Sequence, residues 1–168
     1  MVNEKYSRLF DKALIVASTY HEGQRRWNNE PFIMHSIRAM MYVIPNDNSQ
    51  PTNHQLKVGS ILLLHDVVED TKLTMKELKT MFPLEITDVV ELLTKKDYPE
   101  NATEEEKRII YWDYIKRISK NKDAIECKLA DLKDNMTIIG IPKDKKLIVQ
   151  RLEKYREAYH FLNSLHFK

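Results

Sequence analysis

The segment LKVGSILLLHDVVED, from Leu56 to Asp70, sets the tightest limit on the fold, because its centre, Ile61 to Leu64, is apolar in every direction around a helix. Such a helix is stable in water only when other elements cover it on all sides, so it is expected to be the central helix of a helical domain. Thr52 or Asn53 is placed to cap its start. The flanking sequence offers the cover. Leu9, Ala13, Val16 and Tyr20 recur at the helical period between Glu4 and about Tyr20, and Pro31 suits the first position of a second helix, PFIMHSIRAMMYVI. Thr74 with Glu77, and Thr103 with Glu106, have the capping-box spacing ahead of MKELKTMF and of a helix reaching about Ser119. Between them lies LEITDVVELLT. The stretch KDAIECKLADLKDNMTII reads as a further helix stopped by Gly140 and Pro142, and a last amphipathic helix carries Leu147, Val149, Leu152, Tyr155, Tyr159 and Leu162.

Three glycines and six prolines leave little material for the turns of an all-β fold. The class expected is therefore all-α, a bundle of about eight helices, with residues 1–168 as a single domain whose 42 % apolar content is enough for a core. Twenty-seven basic and 25 acidic residues are interspersed, so there is no broad platform for a nucleic-acid backbone, although a basic pocket is compatible with this balance. Cys127, the single cysteine, excludes an internal disulfide and suits a reducing compartment. No apolar run approaches the roughly 20 residues of a membrane span, and the first ten residues lack a signal-peptide core. These features imply a cytoplasmic protein with no membrane or nucleic-acid partner, and they carry no signal of oligomeric state.

His65 and Asp66 adjoin inside the apolar segment, where a charged carboxylate is costly unless something pairs with it, and a metal ion would. Neighbours on a helix differ by about 100° in direction, which still lets both reach one ion. Glu69 and Asp70 lie one turn further on, where a water would be held. Two acids at a helix C-terminus oppose the helix dipole and need a compensating cation, either a metal or a basic side chain. In a second apolar stretch, Lys128, Asp131 and Asn135 form one polar stripe at i, i+3 and i+7; the competing interpretation is a solvated helix face. His35, among Ile33, Met34 and Ile37, is a fourth candidate ligand, set against the commoner case of a core histidine. Two imidazoles and two carboxylates suit Mn²⁺ or Fe²⁺ at least as well as Zn²⁺, and manganese is favoured. Cys127 has apolar neighbours, which marks it as a buried small side chain and not a nucleophile.

His35, the pair His65–Asp66 and the distant Asp131 resemble the H…HD…D pattern of HD-domain metal phosphohydrolases. The blocks HEGQRR, PFIMH, HDVVEDT, LLTK and KLADLKDNM, spread over roughly residues 13–136, resemble the hydrolase domain of RelA/SpoT-type enzymes and of the small alarmone hydrolases. That resemblance implies an HD-type helical bundle that hydrolyses the 3′-pyrophosphate of ppGpp or pppGpp, giving GDP or GTP and pyrophosphate, with one manganese ion. By matching positions it implies His35, His65, Asp66 and Asp131 as metal ligands, and Glu69 and Asp70 as the acids that position or deprotonate the attacking water. Arg26 matches the arginine beside the purine base, Asn135 the asparagine near the ribose, and Lys95 and Lys128 stand as phosphate neighbours. No synthetase segment accompanies these blocks, so the expectation is a stand-alone enzyme that only degrades.

The resemblance breaks in one loop. Trp27 stands where the family often has lysine, Asn29 where it has glycine, and Ser36 where proline commonly follows the histidine. Trp27 would either stack on a purine or cap the core. Two rival functions remain at this level: an HD phosphohydrolase for another nucleotide, such as an adenine alarmone, NADPH or a nucleotide monophosphate, and a nucleotide-binding module without turnover.

Overall fold

The computed structural model describes residues 3–45, 47, 49–137 and 145–166. Among these residues nine helices occur in order: α1 Glu4–Tyr20, α2 Ile33–Met41, α3 Asn53–Leu64, α4 Val67–Asp70, α5 Met75–Met81, α6 Leu84–Leu93, α7 Glu104–Ile118, α8 Lys122–Thr137 and α9 Lys145–His166. Their only β-type pairing is the bridge between Arg25 and Pro31.

The central position expected of the apolar segment is what the fold shows. Helix α3 packs against α1, α2, α6 and α8, and Ile61, Leu62, Leu63 and Leu64 are each fully buried. Gly59 lets α1 and α2 approach it closely, since a Cβ there would lie 3.0 Å from the Phe10 ring and 3.4 Å from the Met40 side chain. Two capping boxes form as the sequence implies, Thr74 with Glu77 and Thr103 with Glu106, and a third that it did not specify, Thr52 with Gln55, makes Thr52 the cap of α3. In each, the threonine oxygen accepts a backbone N–H of the first turn and the distal Gln or Glu accepts one from the cap, so two donors that the helix cannot satisfy are used.

Two boundaries differ from the sequence-based expectation. Helix α2 begins at Ile33, and Pro31 instead belongs to the preceding hairpin, where it bridges Arg25. The apolar helix does not run on to Asp70. It stops at Leu64, passes through His65 and Asp66 as a turn, with Asp66 at φ −100° and ψ −6°, and restarts as the single turn α4. The periodicity of Val67 and Val68 continues across this break, so hydrophobic pattern alone does not reveal it. The Gly140–Pro142 stop lies outside the described residues.

Candidate functional site

The break after Leu64 is what aims the His-Asp pair. His65 Nδ1 lies 2.7 Å from the carbonyl oxygen of Leu62, a group that can only accept, so Nδ1 carries a proton and Nε2 is the nitrogen left to titrate or to bind a cation. His35 is fixed the same way from α2, its Nδ1 donating to Asp134 Oδ2 at 2.7 Å. Both Nε2 atoms then face two carboxylates. From His35 Nε2, Asp131 Oδ1 is 3.1 Å away and Asp66 Oδ2 is 3.6 Å away. From His65 Nε2 the corresponding distances are 3.7 Å and 3.1 Å. Donor atoms of His35, His65 and Asp66 lie within 4.8 Å of one another, and Asp131 closes the fourth side from α8.

This arrangement fits a divalent cation on an observation independent of any resemblance: among the described residues His65 Nε2 is buried with no hydrogen-bond partner, despite its nearness to two carboxylates. A buried polar atom left without a partner costs about 1–3 kcal/mol, and one cation among these four donors would remove that cost. The electrostatics agree. Burial alone would lower the His65 pKa, but the charges of Asp66 and Asp131 hold it well above the ordinary value. Burial likewise works against the charge on Asp66, yet the His65 and His35 rings outweigh it and keep its carboxyl at about 2. The field that favours a proton at Nε2 equally favours a metal cation there.

Around the four donors the structure divides the sequence candidates into distinct environments. Asp131 Oδ2 accepts from Lys128 Nζ at 2.7 Å and Oδ1 accepts from the Asn135 side-chain amide. The stripe Lys128–Asp131–Asn135 is thus turned inward, with Asp131 buried, and is not a solvated face. Lys128 is committed to Asp131, which makes it a charge partner for the carboxylate more than a free phosphate contact. Glu69 is held by Lys95 twice, the backbone N–H at 2.8 Å and Nζ at 3.1 Å. The cation that the two acids require at the end of their helix is therefore, for Glu69, a lysine. Asp70 is left without such a partner, and burial, with the charges of Asp66 and Glu69 adding to it, raises its pKa to about 6.

Arg26 reaches the same centre from the loop between α1 and α2, donating to Asn135 Oδ1 at 2.7 Å and standing 3.4 Å from Asp134 Oδ2. The loop is a tight hairpin in which Asn29 N–H bonds to the Arg26 carbonyl at 2.8 Å. Asn29 has φ +65°, a conformation natural to glycine and tolerated by asparagine, so the exchange at that position keeps the turn. The turn puts Trp27 at its tip. Trp27 is 50 % exposed, is absent from the cleft lining and does not cover the core, so the structure brings it into neither expected role.

A cleft of about 220 Å³ joins the four donors to Arg26, Glu69, Asp70, Lys95, Lys128 and Asn135. It also takes in Tyr98, Tyr111, Tyr114, Lys154 and Tyr155, residues that sequence reasoning did not single out as site residues. Asp134 was missed as well. Fully buried, it accepts from His35, from Arg38 Nε at 2.8 Å and from Arg26, and against the effect of burial the His35 ring and the Arg38 guanidinium hold its pKa below the usual carboxylate value. A carboxylate behind a histidine fixes the tautomer and orientation of a ligand ring. The available signal was the second aspartate in KLADLKDNM, three residues beyond Asp131, on a helix otherwise lined by apolar residues. In HEGQRR, the Gln24 side chain donates to the Asp70 carbonyl at 2.8 Å and pairs with His21, which stacks on Phe32. Cys127 is buried outside this cleft's lining, its thiol 3.8 Å from the Val58 carbonyl oxygen and its pKa pushed up by burial.

No family model matches the chain. Among curated proteins it is 33 % identical over 156 residues to a guanosine-3′,5′-bis(diphosphate) 3′-pyrophosphohydrolase of Spiroplasma citri, a match covering 90 % of this chain and 20 % of that protein. It is 29 % identical over 158 residues to the enzyme of the same name from Haemophilus influenzae, covering 92 % of this chain and 22 % of the relative. The chain thus spans about a fifth of the length of the curated relatives it matches. A solved structure described as a metazoan ortholog of SpoT that hydrolyses ppGpp superposes with a TM-score of 0.73 at 21 % identity, over 95 % of this chain and 90 % of that one. In sequence the chain is a relative of the RelA/SpoT-type (p)ppGpp hydrolases, and in fold it is an all-α bundle of their HD type.

Proposed function

We propose that the chain is a guanosine-3′,5′-bis(diphosphate) 3′-pyrophosphohydrolase, converting ppGpp or pppGpp to GDP or GTP and pyrophosphate in the cytoplasm, with residues 1–168 as one hydrolase domain. The observation that carries the reading is the convergence of His35, His65, Asp66 and Asp131 on one point, with His65 Nε2 buried and, among the described residues, without a hydrogen-bond partner. These four residues would hold a divalent cation, manganese in preference to iron or zinc because half the donors are hard carboxylate oxygens. When bound, such an ion lowers the pKa of water and polarises a phosphoryl oxygen.

The chain's own groups account for the remaining work. Water must bond to phosphorus at the 3′ position, the bond from that phosphorus to the ribose 3′ oxygen must break, and one proton must leave the water while another reaches the 3′ oxygen. Asp70, with its pKa near 6, is matched to accept the proton near neutrality. Glu69, fixed by Lys95, positions the water. Arg26 and Asn135 sit at the cleft edge where the base and ribose would lie, and Lys95 offers positive charge toward the phosphates.

The test is a nucleotide panel incubated with purified protein and Mn²⁺, with and without chelator. Pyrophosphate from ppGpp, lost on chelation, is the expected result. Orthophosphate from NADPH with no product from any guanosine alarmone would replace this reading with the rival phosphohydrolase, and turnover of nothing in the panel would leave a binding module.

A further inference from the structure

The α7 and α9 side of the cleft holds two polar groups to which the metal centre gives no task. Tyr111 is only 4 % exposed and lines the cleft, yet among the described residues its hydroxyl has no hydrogen-bond partner. Tyr114, one turn further along α7, shows the ordinary solution: its hydroxyl donates to the Leu93 carbonyl at 2.7 Å. Lys154 of α9 enters the same cleft, with its ammonium 4.7 Å from the Tyr111 ring centre and 5.5 Å from that of Tyr155. The other cations of the lining each have a polar partner: Lys95 has Glu69, Lys128 has Asp131, and Arg26 has Asn135 and Asp134. Among the described residues Lys154 has no ion pair. The nearest acid that influences it, Glu104, is exposed and already bonded to Lys107 at 2.8 Å.

A buried hydroxyl without an acceptor beside a half-buried ammonium without an anion is a mismatch that an anionic oxygen would resolve for both. Tyr111 stays protonated, since burial raises its pKa, and so can donate. The near-complete burial of the Tyr111 side chain lowers the local dielectric and strengthens such a contact. We propose that Tyr111 and Lys154 form a second phosphate-binding subsite in the cleft, gripping a phosphate of the substrate other than the one whose phosphorus is attacked. This deepens the proposed function and rests on it for the identity of the substrate. The phosphate has two sources, the distal phosphate of the 3′-pyrophosphate or the 5′-diphosphate, and the subsite chemistry is the same for both.

Calorimetric titration of the full chain as purified with inorganic pyrophosphate and, separately, with GDP distinguishes the sources. Tyr111→Phe and Lys154→Gln are each expected to weaken one of these two ligands by about 10-fold or more, the loss typical of a hydrogen bond to a charged group. If ppGpp is turned over, its KM should rise by a similar factor in both variants while kcat changes little. Lys154 is half-exposed, so its variant reports even if the Tyr111 substitution disturbs packing. Unchanged affinity for both ligands in folded Lys154→Gln overturns the subsite. A wild-type chain that turns over no alarmone but binds a diphosphate through Tyr111 and Lys154 overturns the function and leaves the subsite standing.

Discussion

Asp66 and Glu69 lie three residues apart but are expected to fail differently. Asp66 faces both imidazoles, whereas Glu69 is bonded to Lys95. Asp66→Ala should therefore abolish turnover and metal retention together, while Glu69→Gln should keep the metal and slow the reaction by roughly 10²–10⁴. Metal content measured beside the rate checks this, and equal metal loss in both variants would contradict the division of roles. Asp134 supplies a subtler case. Asp134→Asn preserves shape but removes the charge that orients His35, so metal affinity should fall about 10- to 100-fold with the fold retained. An unchanged affinity would show that the His35 ring is held by packing alone. Asp134 also marks the boundary of what residue patterns reveal. His65, Asp66 and Asp131 could be singled out as ionisable groups in apolar stretches, and His35 by its place in the H…HD…D pattern; the structure brings the four together. Asp134 showed only as a second aspartate three residues beyond Asp131, and Tyr111 and Lys154 not at all, since their importance lies in which groups meet across α7 and α9, which no local spacing encodes.

At the scale of elements, caps were the most readable feature and the joint between α3 and α4 the least. A capping box is local: its donor and acceptor are three residues apart, so sequence specifies it fully. The joint depends on His65 and Asp66 leaving the helix where tertiary contacts hold them, a context that periodicity does not contain. Thr52 illustrates the local case. Its oxygen accepts from Gln55 N–H at 3.2 Å, and the neighbouring Asn53 side chain accepts from the Asn3 backbone at 2.7 Å, joining the starts of α1 and α3. Thr52→Ala is expected to cost about 1 kcal/mol of stability, read by denaturant unfolding. Because the cap begins the helix whose far end leads into the metal centre, turnover should be unaffected. A large loss of activity without loss of stability would mean that the start of α3 takes part in substrate binding.

For the whole molecule, proton and metal binding compete at the same atoms. Burial pulls the His35 and His65 pKa values down, but the facing aspartates more than compensate and raise both above about 6.5, the ordinary value. In the metal-free chain these protonated rings contribute stability that is full below that ordinary value and is lost as pH rises through the raised pKa values. Metal binding has the opposite dependence, since a ligand nitrogen must be unprotonated. The gain in melting temperature on adding Mn²⁺ should therefore be larger at about pH 8 than at about pH 6. Equal gains at the two pH values would remove His35 and His65 from the ligand set.

Asp134 bonds at once to His35 and to Arg38, and it lies within reach of Arg26 on the hairpin. A strut shared in this way transmits strain in both directions: a nucleotide drawing Arg26 outward would tug on the ring beneath the ion, and an ion seating that ring would steady the arginine. Occupancy of the two positions should accordingly be cooperative, each guest tightening the grip on the other by one common factor.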